Sequence, residues 1–219
     1  MAPMMDIGVL ASGSGTNLRA ILDAVAAGTL SARVAVVVSN VPEAGAIERA
    51  RAAGVEAVVV DHTTFGDRRA FDAAVVKVLR VHGVRLVVLA GFMRLLTEVL
   101  LDEFPMQIVN VHPALLPSFP GVHPQKRALE FGVRITGCTV HFVDKGIDTG
   151  PIIAQAAVAV LDDDDEESLR LRILAREHEL LPRALQWIVE GRVSVEPPKT
   201  AGERARVRVR GARTGIGVT

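Results

Sequence analysis

The feature that most constrains how this chain can fold is an alternation of short, almost continuously apolar runs with longer amphipathic stretches through its first half. Residues 7–11, 33–38, 56–60 and 85–90 are rich in Val, Ile and Leu and lack polar alternation, so each is predicted to be a strand buried on both faces, as in a parallel sheet. Residues 17–27, 42–53 and 68–81 are predicted helices. The last carries Phe71, Ala74, Val75 and Val78 at i, i+3, i+4 and i+7, a single apolar stripe. Successive strand–helix–strand units cross over right-handedly. The expected fold class is therefore α/β, a doubly wound, mostly parallel sheet of Rossmann-like type with ligands at the carboxyl ends of its strands.

Beyond residue 106 the pattern changes. Residues 106–111 form a further predicted strand, after which Pro113, Pro117, Pro120 and Pro124 predict a long irregular loop. Residues 134–143 and 151–160 then read as an antiparallel pair at the sheet edge, joined by 144–150. The six acids from Asp162 to Glu167 suit a solvated helix start better than a metal site, because carboxylates favour the positive end of the helix dipole. Leu169, Ile173, Leu180, Ala184 and Ile188 mark a long helix, expected to bend near Pro182. After Gly191 the periodicity is lost. Lys199, Arg204, Arg206, Arg208, Arg210 and Arg213, set against Glu203, predict a mobile, solvated basic tail. The expected organisation is a catalytic domain over 5–191 and a C-terminal extension over 192–219.

Composition removes several functional classes. A chain of 219 residues that is 49% hydrophobic can bury one large core. Lys plus Arg and Asp plus Glu both number 25, so no net field draws the protein to nucleic acid or an anionic membrane, and the basic tail has no aromatics to stack on bases. A single cysteine, Cys138, excludes an internal disulfide framework and a multi-cysteine zinc site, and it lies where a buried core residue is expected. The histidines show no metal-ligand spacing, so no metal is expected. With neither an export segment nor an apolar run of membrane-spanning length, the expected location is cytoplasmic.

Three features carry chemistry. Ser12-Gly13-Ser14-Gly15-Thr16-Asn17-Leu18 lies between the first strand and the first helix, where helix N–H groups can bind an anion such as phosphate; the plain alternative is a connecting glycine turn. It is not a Walker loop, and the next strand ends Val38-Ser39-Asn40, without the carboxylate a nicotinamide dinucleotide site uses. Asn110-Val111-His112-Pro113 closes a strand, and alternation puts Asn110 and His112 on one side. An amide donor beside an imidazole suits an oxyanion forming on a carbonyl carbon. Asp144 and Asp148 lie on a glycine-rich turn where aspartates ordinarily bond local backbone. If the turn folds towards His112, Asp148 would orient the imidazole.

Ala11 to Leu18, Ala90-Gly91-Phe92-Met93-Arg94, Asn110-Val111-His112-Pro113-Ala114-Leu115-Leu116-Pro117, and His141-Phe142-Val143 leading to Asp148-Thr149-Gly150-Pro151 together resemble the phosphoribosylglycinamide formyltransferase family, in order and in spacing. The resemblance runs from about residue 7 to 189. It implies transfer of the formyl group of 10-formyltetrahydrofolate to the amine of glycinamide ribonucleotide in purine biosynthesis, with no metal. It further implies that Asn110, His112 and Asp148 are catalytic, that Gly15, Thr16 and Asn17 hold the substrate phosphate, and that Glu177 contacts the ribose. Arg68, Met93, Arg94, Leu95, Leu96, Asn110, Val143, Asp144 and Asp148 are implied to bind the folate. A homodimer is a possible assembly. Leu174 departs from the family, which often carries a long polar residue one turn before the position of Glu177.

The nearest rival, formyltetrahydrofolate deformylase, is similar in its Asn, His and Asp but uses water as acceptor and normally carries an N-terminal regulatory domain, for which no room is expected before residue 7. Methionyl-tRNA formyltransferase shares the Asn-x-His and Leu-Leu-Pro elements and resembles a longer chain. A non-enzymatic nucleotide-binding protein using only the glycine loop is the rival from another class.

Overall fold

The apolar runs become strands in the computed structural model, which describes residues 4–198, 200 and 203–211. The chain divides into two compact units, Met1–Asn110 and Val111–Thr219. In the first, β1 (Met5–Ala11), α1 (Thr16–Ala26), β2 (Ala32–Ser39), α2 (Gly45–Ala52), β3 (Ala57–Val59), α3 (Arg68–Val81), β4 (Leu86–Leu89) and α4 (Glu98–Glu103) follow in turn, with a short 3-10 helix at His62–Thr64. The unit ends within β5 (Ile108–His112). β1 pairs in parallel with β2 and with β4, so that Ile7 lies opposite both Val34 and Leu86, and β4 pairs in parallel with β5. Ile7, Val9, Leu10 and Ala11 are wholly buried, which is why the run carries no polar alternation.

α3 forms over the residues the periodicity marks. Asp67 caps it by accepting from the Ala70 N–H, and its stripe buries Phe71, Val75 and Leu79. The same face buries Asp72, which is 1% exposed. Its Oδ2 accepts from the Thr97 N–H at 2.6 Å and from the Thr97 hydroxyl at 2.7 Å. Desolvation raises the Asp72 pKa against the opposing effect of these two bonds. The connection between β4 and α4 is thereby fastened to α3.

In the second unit come α5 (Pro124–Glu130), β6 (Ile135–Phe142), β7 (Ile152–Ala159), α6 (Glu166–Val189), β8 (Val193–Glu196) and β9 (Arg206–Val209). β6 and β7 are antiparallel, with His141 opposite Ile152. The strand order is β3-β2-β1-β4-β5-β6-β7, a mostly parallel seven-stranded sheet with its antiparallel pair at one edge, as the strand pattern predicts.

The structure corrects two expectations. Part of the predicted irregular loop is α5, which begins on Pro124 at a first-turn position where proline's missing N–H is no loss. The extension is not a structureless tail. β8 and β9 form an antiparallel hairpin, with Val193 opposite Val209 and Glu196 opposite Arg206, because the short runs 193–196 and 206–209 alternate apolar and polar residues. Lys199 and Arg213 of the predicted tail lie outside the described residues.

The acidic run is a helix start. Asp165 caps α6 through a reciprocal bond pair with Ser168, and Glu166 and Glu167 occupy the first turn. Asp164 has a different role. Its side chain is 2% exposed, and it receives both Arg172 terminal nitrogens at 2.6 and 2.8 Å, the Ser168 hydroxyl at 2.9 Å and the Leu161 N–H at 2.8 Å. Arg172 above all holds its carboxyl well below the usual carboxylate range. A depressed folded-state pKa stabilises the fold above the unfolded-state value and loses that contribution as pH falls through the folded one. Asp164→Asn is therefore expected to lower Tm at pH 7 by about 5 °C, a deficit that shrinks below pH ~4 as the parent protein loses the same interaction. Thermal melts across pH 7 to pH 2 measure this; a deficit that stays constant would refute it.

Candidate active site

In the first unit the glycine loop is held rigid from several directions. β1 ends at Ala11 and α1 begins at Thr16, with Gly15 between them at φ 73. The Ser12 N–H donates to the Gly91 carbonyl at 3.0 Å, the Ala46 N–H to the Gly13 carbonyl at 3.1 Å, and Arg49 Nε to the Ser14 carbonyl at 2.8 Å. The Ser12 hydroxyl donates to Asn40 Oδ1 at 2.6 Å and accepts from the Met93 N–H at 2.8 Å. His62 Nδ1 lies 2.8 Å from the Asn40 carbonyl and 3.2 Å from the Asn40 side-chain amide nitrogen, which ties the ring to the same residue. Gly15 makes no side-chain cap to α1, and a helix N-terminus of this kind is a place where an anion can bind. Gly13 and Ser14 are exposed, while Gly15 and Asn17 are buried. Sequence reasoning noted Asn40 only as the absence of a carboxylate and missed its bracing role, as it missed His62.

Residues 93–96 follow β4 on the connection that Asp72 fastens. Met93 is 79% and Leu95 54% exposed, two large apolar side chains close together on an anchored backbone. The Arg94 guanidinium lies 5.0 Å from the centroid of the Phe71 ring. Arg68 is exposed at the start of α3. Asn110 is half-buried near the end of β5, opposite Leu89.

The second unit brings His112 and Asp148 together. His112 is 5% exposed, and its Nδ1 lies 3.3 Å from Asp148 Oδ2. Its Nε2 faces the Phe119 carbonyl at 2.9 Å, so both ring nitrogens point at oxygen acceptors and are placed to donate. Asp148 Oδ2 also accepts from the Gly121 N–H at 2.7 Å. On its other side, Asp148 Oδ1 is 3.6 Å from His141 Nε2. His141 is 1% exposed and its Nδ1 lies 2.8 Å from the Phe142 carbonyl. Burial holds the His141 pKa below the ordinary imidazole value, opposed by the Phe142 bond and the Asp148 charge and reinforced by His112. The carboxylate thus stands between two imidazoles in different surroundings, an arrangement suited to holding or passing a proton.

Asp144 keeps to its own turn, where Oδ1 accepts from the Gly146 N–H at 3.1 Å and the Thr149 hydroxyl at 2.6 Å. Val143 is half-buried, and Glu177 is 6% exposed on α6. Burial pushes the Cys138 thiol up to about 12, an inert core sulfur. Phe119, Gly121 and His141 were not singled out from sequence. Phe119 and Gly121 act through backbone groups that carry no residue-type signal, whereas His141 lies in a quoted motif and is buried along with its neighbours on β6. Among the described residues no group of three or more His, Cys, Asp or Glu could hold a metal, and no helix is long and apolar enough to cross a membrane.

The sequence profile of the formyl transferase family matches residues 5–185. The chain is 47% identical over 193 residues to the trifunctional purine biosynthetic protein adenosine-3 of Drosophila melanogaster, a match covering 87% of this chain and 14% of that one. It spans only a small part of the trifunctional relatives. It is 38% identical over 191 residues to the phosphoribosylglycinamide formyltransferase of Escherichia coli (strain K12), covering 87% of this chain and 90% of that one. Among solved structures, glycinamide ribonucleotide transformylase 1 from Symbiobacterium toebii superposes with a TM-score of 0.90 at 52% identity, covering 95% of each chain.

Proposed function

Because the chain belongs to the formyl transferase family, we propose that it transfers the formyl group of 10-formyltetrahydrofolate to the amine of glycinamide ribonucleotide, in the cytoplasm, as a step of purine biosynthesis. The observation that carries this reading is the buried contact of His112 with Asp148, in a chain that also keeps an uncapped, braced glycine loop. A hydrolase with water as acceptor would have no use for such a loop.

In this reading the amine nitrogen attacks the formyl carbon, a C–N bond forms, and the carbonyl oxygen gathers negative charge. The Asn110 amide and the His112 imidazole are the donors for that oxyanion, each worth roughly 100- to 1000-fold in rate. The bond from carbon to the folate nitrogen then breaks, the leaving nitrogen gains a proton and the new amide nitrogen loses one. His112 supplies the first proton, and Asp148, held by Gly121, takes up the second through water or His112. Because Nε2 now faces the Phe119 carbonyl and Nδ1 faces Asp148, donation to substrate requires His112 to exchange one of these acceptors.

Gly15, Thr16 and Asn17 take the phosphate and Glu177 the ribose. Arg68 serves the folate's carboxylates, and Met93, Arg94, Leu95, Leu96, Val143, Asp144 and Asp148 its ring system; the exposure of Met93 and Leu95 supports that assignment. The test is to incubate the purified protein with 10-formyltetrahydrofolate, with and without glycinamide ribonucleotide. The expected result is formylated amine and tetrahydrofolate in equal amounts, only when both substrates are present. Folate consumption independent of the amine would identify a deformylase. An unchanged folate in both arms would leave a nucleotide-binding protein.

A further inference from the structure

We propose that Arg204, on the C-terminal arm leading into β9, is a positioning residue for Asp148, so that the arm belongs to the catalytic apparatus; this rests on the role of Asp148 in the proposed function. Asp148 has φ 53, a left-handed conformation that a residue with a side chain rarely adopts. Such a backbone persists when its surroundings over-determine it.

Within the segment from Asp144 to Gly150, the bonds of the Asp144 side chain reach Gly146 and Thr149 rather than residue 148. Lys145, Gly146, Ile147 and Thr149 are exposed, so packing does little to fix the turn. Contacts from elsewhere in the unit take over. The Gly121 N–H, His112 and His141 meet the carboxylate, and Arg204 Nη2 donates to the Asp148 carbonyl at 3.3 Å. The first three restrain the side chain, and Arg204 restrains the backbone that aims it. Without Arg204, residue 148 could relax towards φ < 0 and swing Oδ2 away from His112 Nδ1.

The arm is built to deliver this contact. β9 pairs with β8 and packs against β7, whose first residue, Ile152, faces residues 203–207. β7 begins two residues after Gly150, so hairpin and turn share one support. The arginines differ in use. Arg206, Arg208 and Arg210 are exposed, Arg208 pairs with Glu196, and Arg210 bonds the Gly191 carbonyl. Arg204 is half-buried, and its guanidinium turns to the 144–150 segment.

The test compares Arg204→Ala and Arg204→Lys with Arg206→Ala, which removes the same charge from an exposed position on the same arm. Arg204→Ala is expected to lower kcat about 10-fold while KM for both substrates stays within about twofold, with Arg204→Lys intermediate and Arg206→Ala normal. Amide hydrogen exchange in residues 146–150 should quicken about 10-fold in Arg204→Ala and stay unchanged in Arg206→Ala. In an Asp148→Ala background, Arg204→Ala should cause no further loss, because nothing remains to be positioned. The proposal is overturned if exchange in that segment is unchanged, if kcat is normal, or if the two losses multiply. Should the parent protein fail to turn over these substrates while Arg204→Ala still loosens 146–150, the functional reading falls and the arm's hold on the turn stands. If Arg204→Ala does not fold, Arg204→Lys decides by the same exchange measurement.

Discussion

Asp148→Ala is expected to lower kcat on the order of 1000-fold while leaving KM for both substrates within a few-fold and the thermal unfolding profile nearly intact. The carboxylate contributes through His112 Nδ1 at 3.3 Å and His141 Nε2 at 3.6 Å, so its removal strips both imidazoles of their shared acceptor. A 1000-fold loss corresponds to about 4 kcal/mol of transition-state stabilisation. Asp148→Asn separates the two parts of that effect. An amide oxygen can still accept from the Gly121 N–H and keep the turn in place, yet it supplies no negative charge and cannot take up the amine's proton. Loss on the Asn variant equal to that on the Ala variant assigns the effect to charge and proton transfer, whereas substantial recovery assigns it to geometry. Steady-state kinetics of both variants decide the matter, and near-normal kcat in either removes Asp148 from the mechanism.

The parallel part of the sheet was legible because burial on both faces keeps residues 7–11 of β1, 34–38 of β2 and all of β4 free of polar side chains. α3 was legible to its termini because its stripe faces one core and Asp67 marks its start. α4 escaped because a six-residue helix is too short for a periodic signal, and α5 because Pro124 reads as a breaker until its place in the first turn is known. The hairpin at 193–196 and 206–209 carries an alternation of period two, but the arginines in it also form a charge run, and the two readings compete over only four residues a strand. The side chains of the candidate site were visible as residue types at the ends of strands. Their partners were not, since the Phe119 carbonyl, the Gly121 N–H and the Asn40 carbonyl belong to a backbone whose course depends on the tertiary fold.

Gly15→Ala is the complementary expectation, an effect on binding with little on turnover. Gly15 stands at φ 73, where an added side chain costs about 1–2 kcal/mol, and the new Cβ would lie 2.7 Å from Ala46 Cα and 3.1 Å from its nitrogen. Those are backbone atoms of α2, so no flexible side chain can swing aside. The loop must rotate instead, which breaks the bond from the Ala46 N–H to the Gly13 carbonyl and reorients the backbone at the start of α1. If that backbone holds the substrate phosphate, KM for the ribonucleotide should rise about 100-fold, the loss of one or two charge-assisted bonds, with KM for the folate and kcat close to normal. Gly13→Ala supplies the contrast within the same loop, because a Cβ there meets nothing within 4 Å and demands no unusual backbone. Its KM should stay within a few-fold of the parent value. A loop that merely connects β1 to α1 would show Gly15→Ala as a loss of thermal stability alone, and that outcome would return the phosphate assignment to the connecting-turn alternative.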